Sequence, residues 1–109
     1  MRKRRRKVGL LPGLVMIMIL KILSRGPTYG YAMFDEIKRI FEMDIPKSLV
    51  YMSLRRLESK GLVCSEWDLS GRGPARRIYH ITEDGKEMLS KRLDCLRKFM
   101  RICERILKY

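Results

Sequence analysis

The sequence predicts a mainly α-helical domain with a small β-hairpin, and three features of its patterning lead there. Apolar residues recur at helical spacing along most of the chain. One glycine- and arginine-rich segment, Ser70-Gly-Arg-Gly-Pro-Ala-Arg76, separates two short β-prone runs. A final stretch from Thr82 onward carries two apolar rows at helical period. Helices, then a hairpin, then a last helix is the order of a winged helix-turn-helix with a long C-terminal dimerisation helix.

The elements follow one by one. Leu14 to Leu23 is apolar on almost every face, which suits a buried first helix opened by Pro12 or Gly13. Ser24-Arg-Gly-Pro-Thr28 has turn chemistry. From Gly30 to Phe41 the residues Tyr31, Met33, Phe34, Ile37, Ile40 and Phe41 keep a helical period and define a second helix. Met43-Asp-Ile-Pro46 resets the chain, because the residue before a proline is pushed out of the helical region and proline suits a first turn. A third helix then runs to Lys60, with Gly61 as its left-handed cap. Leu62 to Leu69 and Arg77 to Ile81 form the two strands of the hairpin. Thr82 can N-cap the last helix, and Glu83 and Asp84 favour its positive end, although Gly85 denies it a full capping box.

At 109 residues the chain is one module, with no room for a core and a separate catalytic domain. Lys and Arg number 25 against 12 Asp and Glu, a formal charge of +13 that predicts a polyanionic partner, either nucleic acid or an anionic membrane. Cys64, Cys95 and Cys103 form no CxxC pair and the chain holds a single histidine, so neither a zinc site nor a disulfide framework is indicated. Within one helix Cys95 and Cys103 stand about 12 Å apart along the axis, too far to bridge, and a reducing cytoplasmic location is expected.

The N-terminus imitates a secretory signal, with Arg2-Lys-Arg-Arg-Arg-Lys7 ahead of an apolar run to Leu20. No small-x-small cleavage site follows, Lys21 and Arg25 interrupt instead, and the run is shorter than the roughly 20 residues of a membrane span. We therefore expect a basic arm over residues 1–12, a DNA-binding domain over 13–81 and a dimerisation helix over 82–109.

On the third helix Val50, Leu54 and Leu57 share one side. Ser48, Met52, Arg55 and Ser59 lie opposite, flanked by Tyr51 and Arg56. That outward side is short, polar and basic. It suits the major groove of duplex DNA, where Arg takes guanine O6 and N7 bidentately and Ser bonds several base edges. A charged outer face is usually only a solvated one, but here the hairpin adds Arg72, Arg76 and Arg77, a second basic device that can follow phosphates or enter a minor groove. Lys47 and Ser48 in the first turn, with Tyr51, Met52, Arg55 and Arg56, complete the candidate DNA-contacting set.

Three blocks then coincide: Tyr29-Gly-Tyr31; Tyr51-x-x-Leu54-x-x-Leu57-Glu-x-x-Gly61-Leu-Val63; and Gly73-Pro-x-Arg76-x-x-Tyr79-x-Ile81-Thr-x-x-Gly85. Together they resemble the PadR-like transcriptional regulators, over nearly all of Leu14 to Leu89. The resemblance implies a winged-helix DNA-binding domain, homodimerisation through the C-terminal helix, and repression relieved by a small ligand or signal. It also implies the short subgroup that lacks the separate C-terminal domain. By the same resemblance Tyr51 is the recognition-helix tyrosine, Leu54 and Leu57 are core positions, and Gly73-Pro74 is the wing tip. The family often places Ser or Pro, then Gly and Thr, before that tyrosine, where this chain has Pro46-Lys-Ser-Leu-Val50.

The last helix argues for assembly on its own. Leu89, Leu93, Leu96, Met100, Cys103 and Leu107 are spaced four-three-four-three-four, a heptad seam. Cys95, Phe99, Ile102 and Ile106 form a second row about 100° around the cylinder. One row packs on its own domain and the other needs a second surface, so a homodimer is expected, with Leu89, Leu93, Leu96, Phe99, Met100, Cys103, Ile106 and Leu107 in the contact. Phe99, Met100 and Cys103 offer soft surface to a small hydrophobic effector, although core packing is the better explanation of them. Trp67 is expected to anchor the hairpin to the domain, and His80 to be structural or near a phosphate.

No nucleophile pair, phosphate-cradling loop or acid pair suggests an enzyme, and no cofactor is implied. The reading that results is a sequence-specific transcriptional regulator. Its alternatives are a non-specific architectural nucleic-acid-binding protein, favoured by the charge and the basic arm, and a peripheral membrane protein, disfavoured because the apolar helix is committed to the core.

Overall fold

The computed structural model describes residues 10–109, and the expected basic arm at residues 1–9 lies outside them. The element order is α1 (Leu10–Leu23), β1 (Thr28–Tyr29), α2 (Gly30–Phe41), α3 (Lys47–Ser59), β2 (Val63–Asp68), β3 (Arg76–Ile81) and α4 (Glu83–Lys108). Three antiparallel strands form a sheet in the order β1-β3-β2.

α1 is apolar all round because it is the central element, packed against α2, α3, α4 and β3. Val15, Ile19, Leu20 and Leu23 are buried along it. It begins at Leu10, ahead of the expected opening at Pro12 or Gly13. Proline is tolerated there because the first four N–H groups of a helix have no partner within it.

α2 has the expected bounds and buries Met33 and Ile37. Its C-terminus closes on Glu42, which takes left-handed backbone (φ 55°) and donates its N–H to the Lys38 carbonyl at 3.0 Å. Ile45 then drops into the core, and Pro46 admits α3.

α3 presents Val50, Leu54 and Leu57 to the core with no exposure at all. Its end is fixed by two backbone bonds, Gly61 N–H to the Glu58 carbonyl (3.0 Å) and Leu62 N–H to the Leu57 carbonyl (2.9 Å). These are the two bonds of a Schellman motif, and they require the left-handed φ of 75° that Gly61 adopts.

The turn after α3 is clamped to the start of α4. The Thr82 hydroxyl donates to the Gly61 carbonyl (2.7 Å) and accepts from the Gly85 N–H (3.0 Å), capping α4 as expected. Thr82 N–H also bonds the Leu62 carbonyl at 3.1 Å. A Cβ on Gly85 would sit 2.0 Å from that same carbonyl oxygen, so no side chain fits.

The hairpin pairs β2 with β3 from Val63↔Ile81 to Asp68↔Arg76. β1, which sequence patterning does not predict, pairs Thr28 with Tyr79 and Tyr29 with Ile78. Two residues are too few to show a period, and their turn chemistry masks them. No helix among the described residues is long and apolar enough to cross a membrane.

Candidate nucleic-acid interface

Because the apolar stripe of α3 is buried, its opposite side faces outward. Tyr51 is 37% exposed and Met52 45%, with Ser48, Arg55 and Arg56 exposed beside them. Among the described residues neither arginine makes an ion pair, so both guanidinium groups keep their full donor set. Lys47 is exposed, but its ammonium lies over the Phe34 ring of α2, 5.3 Å from the centroid. Ser53 alone breaks the polar-out pattern, buried at 3%.

Strand alternation separates the two neighbouring arginines of the hairpin. Arg76 pairs with Asp68 and leans on α2, its guanidinium 5.5 Å from the Tyr31 ring centroid and within 3.4 Å of the Tyr31 hydroxyl. Arg77 lies on the other face, opposite Trp67, with its guanidinium 4.9 Å from that ring's centroid. Its Nε donates to the Ser65 hydroxyl at 2.8 Å, and Ser65 donates in turn to the Glu58 carboxylate of α3 at 2.7 Å. Arg72 is exposed at the turn, next to Gly73 with φ 85°. The wing arginines thus form three differently held sites rather than one patch.

The base of the wing is latched on the Arg76 side. The Tyr29 hydroxyl donates to the Asp68 carboxylate, and Tyr29 stacks on Tyr31 with ring centroids 5.5 Å apart. Ser70 donates to the same carboxylate from its hydroxyl (2.6 Å) and its N–H (3.0 Å). Bonds from Ser70 and Tyr29 hold the Asp68 carboxyl down to about 2, and the bond to Asp68 raises the Tyr29 phenol. On the opposite face burial pushes the Tyr79 phenol up, against the Arg77 guanidinium beside it.

Several of these residues escape sequence reasoning. Ser65 carries no motif, and Glu58, Tyr29 and Tyr31 are visible only as members of the recurrent blocks, with no role attached to them. The expectation for Trp67 is corrected: it is 57% exposed and holds Arg77 rather than fixing the hairpin to the core. His80 stands with its Nε2 3.1 Å from the Glu66 carboxylate on the outer face of the hairpin.

On α4 the two apolar rows divide along the helix rather than around it. Leu89 is buried at 6%, and Met88 and Leu93 pack on the core. Leu96 and Cys103 are half-buried, whereas Phe99, Met100, Ile106 and Leu107 are 52%, 63%, 67% and 86% exposed. Between α1 and α4 lies an apolar cleft of about 330 Å³ bordered by Leu14, Ile17, Cys95, Leu96 and Phe99.

Comparison with known proteins matches this architecture. No curated protein matches the chain by sequence. A PadR family transcriptional regulator from Eggerthella lenta is similar in structure, with 31% identity, a TM-score of 0.79, and coverage of 90% of this chain and 85% of that one. A PadR family transcription regulator from Clostridium difficile has 27% identity and a TM-score of 0.78, over 87% of this chain and 99% of its own. PadR of Bacillus subtilis, solved in complex with operator DNA, shares the fold at 23% identity and a TM-score of 0.67, over 73% of this chain and 46% of that one. The model of the transcriptional regulator PadR-like family matches residues 19–91, most of the winged helix described above, and the chain belongs to that family of transcription regulators, which are not enzymes.

Proposed function

We propose that this chain is a cytoplasmic, homodimeric repressor that binds operator DNA through α3 and its wing and is released by a small hydrophobic effector. The observation that carries the reading is the outward side of α3: Tyr51, Met52, Arg55 and Arg56 are exposed on a helix whose other side is wholly committed to the core. Arginines without an acidic partner keep the paired N–H groups that guanine O6 and N7 accept, so Arg55 and Arg56 are the base-reading candidates. Lys47 and Ser48 serve the adjoining backbone, and Arg72, Arg76 and Arg77 take phosphates along the wing.

Dimerisation follows from the exposed half of α4. Phe99 is exposed at the edge of the cleft with α1, and Met100, Ile102, Ile106 and Leu107 lie on the last turns of the 26-residue helix, outside that cleft. An apolar surface of that length calls for a second copy, which also presents two recognition helices to half-sites about 34 Å apart. Support for DNA as partner comes from Bacillus subtilis PadR, whose structure holds operator DNA. The cleft beside Leu14, Ile17 and Phe99 is of a size and polarity for a small apolar effector.

The test is a selection of bound duplexes from a random pool, followed by affinity measurements on the winner and on a scrambled sequence. Preference for the selected duplex by about a thousandfold or more supports a specific regulator. Equal affinity for both, with a steep salt dependence, supports the architectural alternative that the charge of +13 favours.

A further inference from the structure

Arg77 differs from the other wing arginines in how fully the protein itself holds it. One face of its guanidinium is covered by Trp67 at 4.9 Å, and its Nε–H is used by Ser65 at 2.8 Å. Ser65 cannot turn away, because its own hydroxyl proton is given to Glu58 at 2.7 Å. Guanidinium has five N–H groups, and a contact at Nε leaves the two terminal nitrogens, whose paired N–H groups match the oxygens of a phosphate.

We propose that Glu58, Ser65 and Trp67 are positioning residues that pre-set Arg77 as a phosphate clamp on the DNA backbone, registering the wing against α3. The proposal rests on the DNA-binding reading above and adds to it three residues that touch no nucleotide. A free arginine loses side-chain freedom when it binds, and one already fixed by a ring and a hydroxyl loses less, so affinity rises without a new contact to DNA. Glu58 belongs to the recognition helix and Ser65 to the wing strand, so the same chain of bonds fixes the distance between base reading and backbone holding. The carboxylate does not cancel the clamp: Ser65 stands between Glu58 and Arg77, and the guanidinium stays positive at all relevant pH. Arg76 lacks this arrangement, because its partners are Tyr31 and Asp68 on the opposite face.

The experiment follows binding of the full-length protein to a duplex it has selected from a random pool, across a series of salt concentrations. Arg77→Ala is expected to lose about tenfold in affinity, as for one charge-assisted hydrogen bond, and to flatten the log–log salt slope by about 0.9 per protomer. Ser65→Ala and Trp67→Ala are expected to lose about threefold each on the intact background and nothing further on the Arg77→Ala background. Trp67→Phe should recover most of the Trp67→Ala loss, since a flat ring remains. Melting curves of each variant separate a loosened fold from a misplaced guanidinium, and Ser65→Ala tests the bond without removing a large side chain. Losses from Ser65→Ala that persist undiminished beside Arg77→Ala would overturn the positioning role. An unchanged salt slope in Arg77→Ala, with tight binding by the unsubstituted protein, would overturn the clamp alone. Failure to select any duplex would overturn the regulator reading and the clamp with it.

Discussion

The Tyr29 hydroxyl donates to the Asp68 carboxylate across 39 residues of sequence, tying the start of α2 to the end of β2. Ser70 and Tyr29 bond the ionised carboxylate and hold its pKa near 2, below the ordinary 3.8. A depressed carboxyl contributes stability that is present above the unfolded value and lost as pH falls through the folded one. The stability gap between the parent and Asp68→Asn should therefore be full above about pH 4 and shrink towards pH 2, as read by denaturant unfolding at each pH. A gap constant over that window would show that the carboxylate's charge has no part in the latch.

Gly85 makes a sharper prediction. Its missing side chain is what lets α4 approach the Leu62 carbonyl, where a Cβ would meet backbone at 2.0 Å. Gly85→Ala should lower stability by about 2 to 4 kcal/mol, since neither the capped helix start nor the Schellman turn can move without breaking bonds. Gly30→Ala is the useful contrast, because its Cβ would meet the edge of the Tyr79 ring at 2.9 Å, where a side chain can shift. There the cost should be about 1 kcal/mol. Equal thermal shifts in the two variants would contradict the distinction between a backbone and a side-chain obstacle.

Period and punctuation made most of the fold readable in sequence. Val50, Leu54 and Leu57 declare the buried side of α3, and Gly61 and Thr82 declare its end and the next start. β1 was unreadable because two residues have no period and find their strand pairing only in β3. The outward side of α3 follows from the same geometry that buries the inward one, so its residues could be named in advance. The network of Tyr29 with Asp68, and of Glu58 with Ser65 and Arg77, could not, because strand register decides which side chains meet. Trp67 shows the limit well. An aromatic residue on a strand suggests the core, and only the pairing of Trp67 with Arg77 near the turn of the hairpin reveals an exposed ring supporting a cation.

The two kinds of arginine should separate in binding measurements. Arg55 projects from α3 without an ion pair among the described residues, whereas Arg76 is tethered to Tyr31 at the wing. Arg55→Ala should relax preference at one base pair, costing about 1 to 3 kcal/mol there and little on scrambled duplex. Arg76→Ala should weaken every sequence alike and leave the preference ratio unchanged. Competition binding against single-base variants of the selected duplex checks both, and identical profiles would remove α3 as the reader.

Assembly can be tested without disturbing the monomer, because α4 divides along its length. Leu96 borders the cleft with α1, so changing it would confound packing with association. Met100 and Ile106 are 63% and 67% exposed and lie beyond that contact. Replacing both by Asp places two charges on the apolar surface that a second copy would cover, each costing several kcal/mol when desolvated without a partner. The double variant should keep its helical content and run at monomer mass in light scattering, while binding to a two-half-site duplex falls by about a hundredfold or more as the coupled second contact is lost. Unchanged mass with unchanged binding would mean that this face of α4 is not where two copies meet.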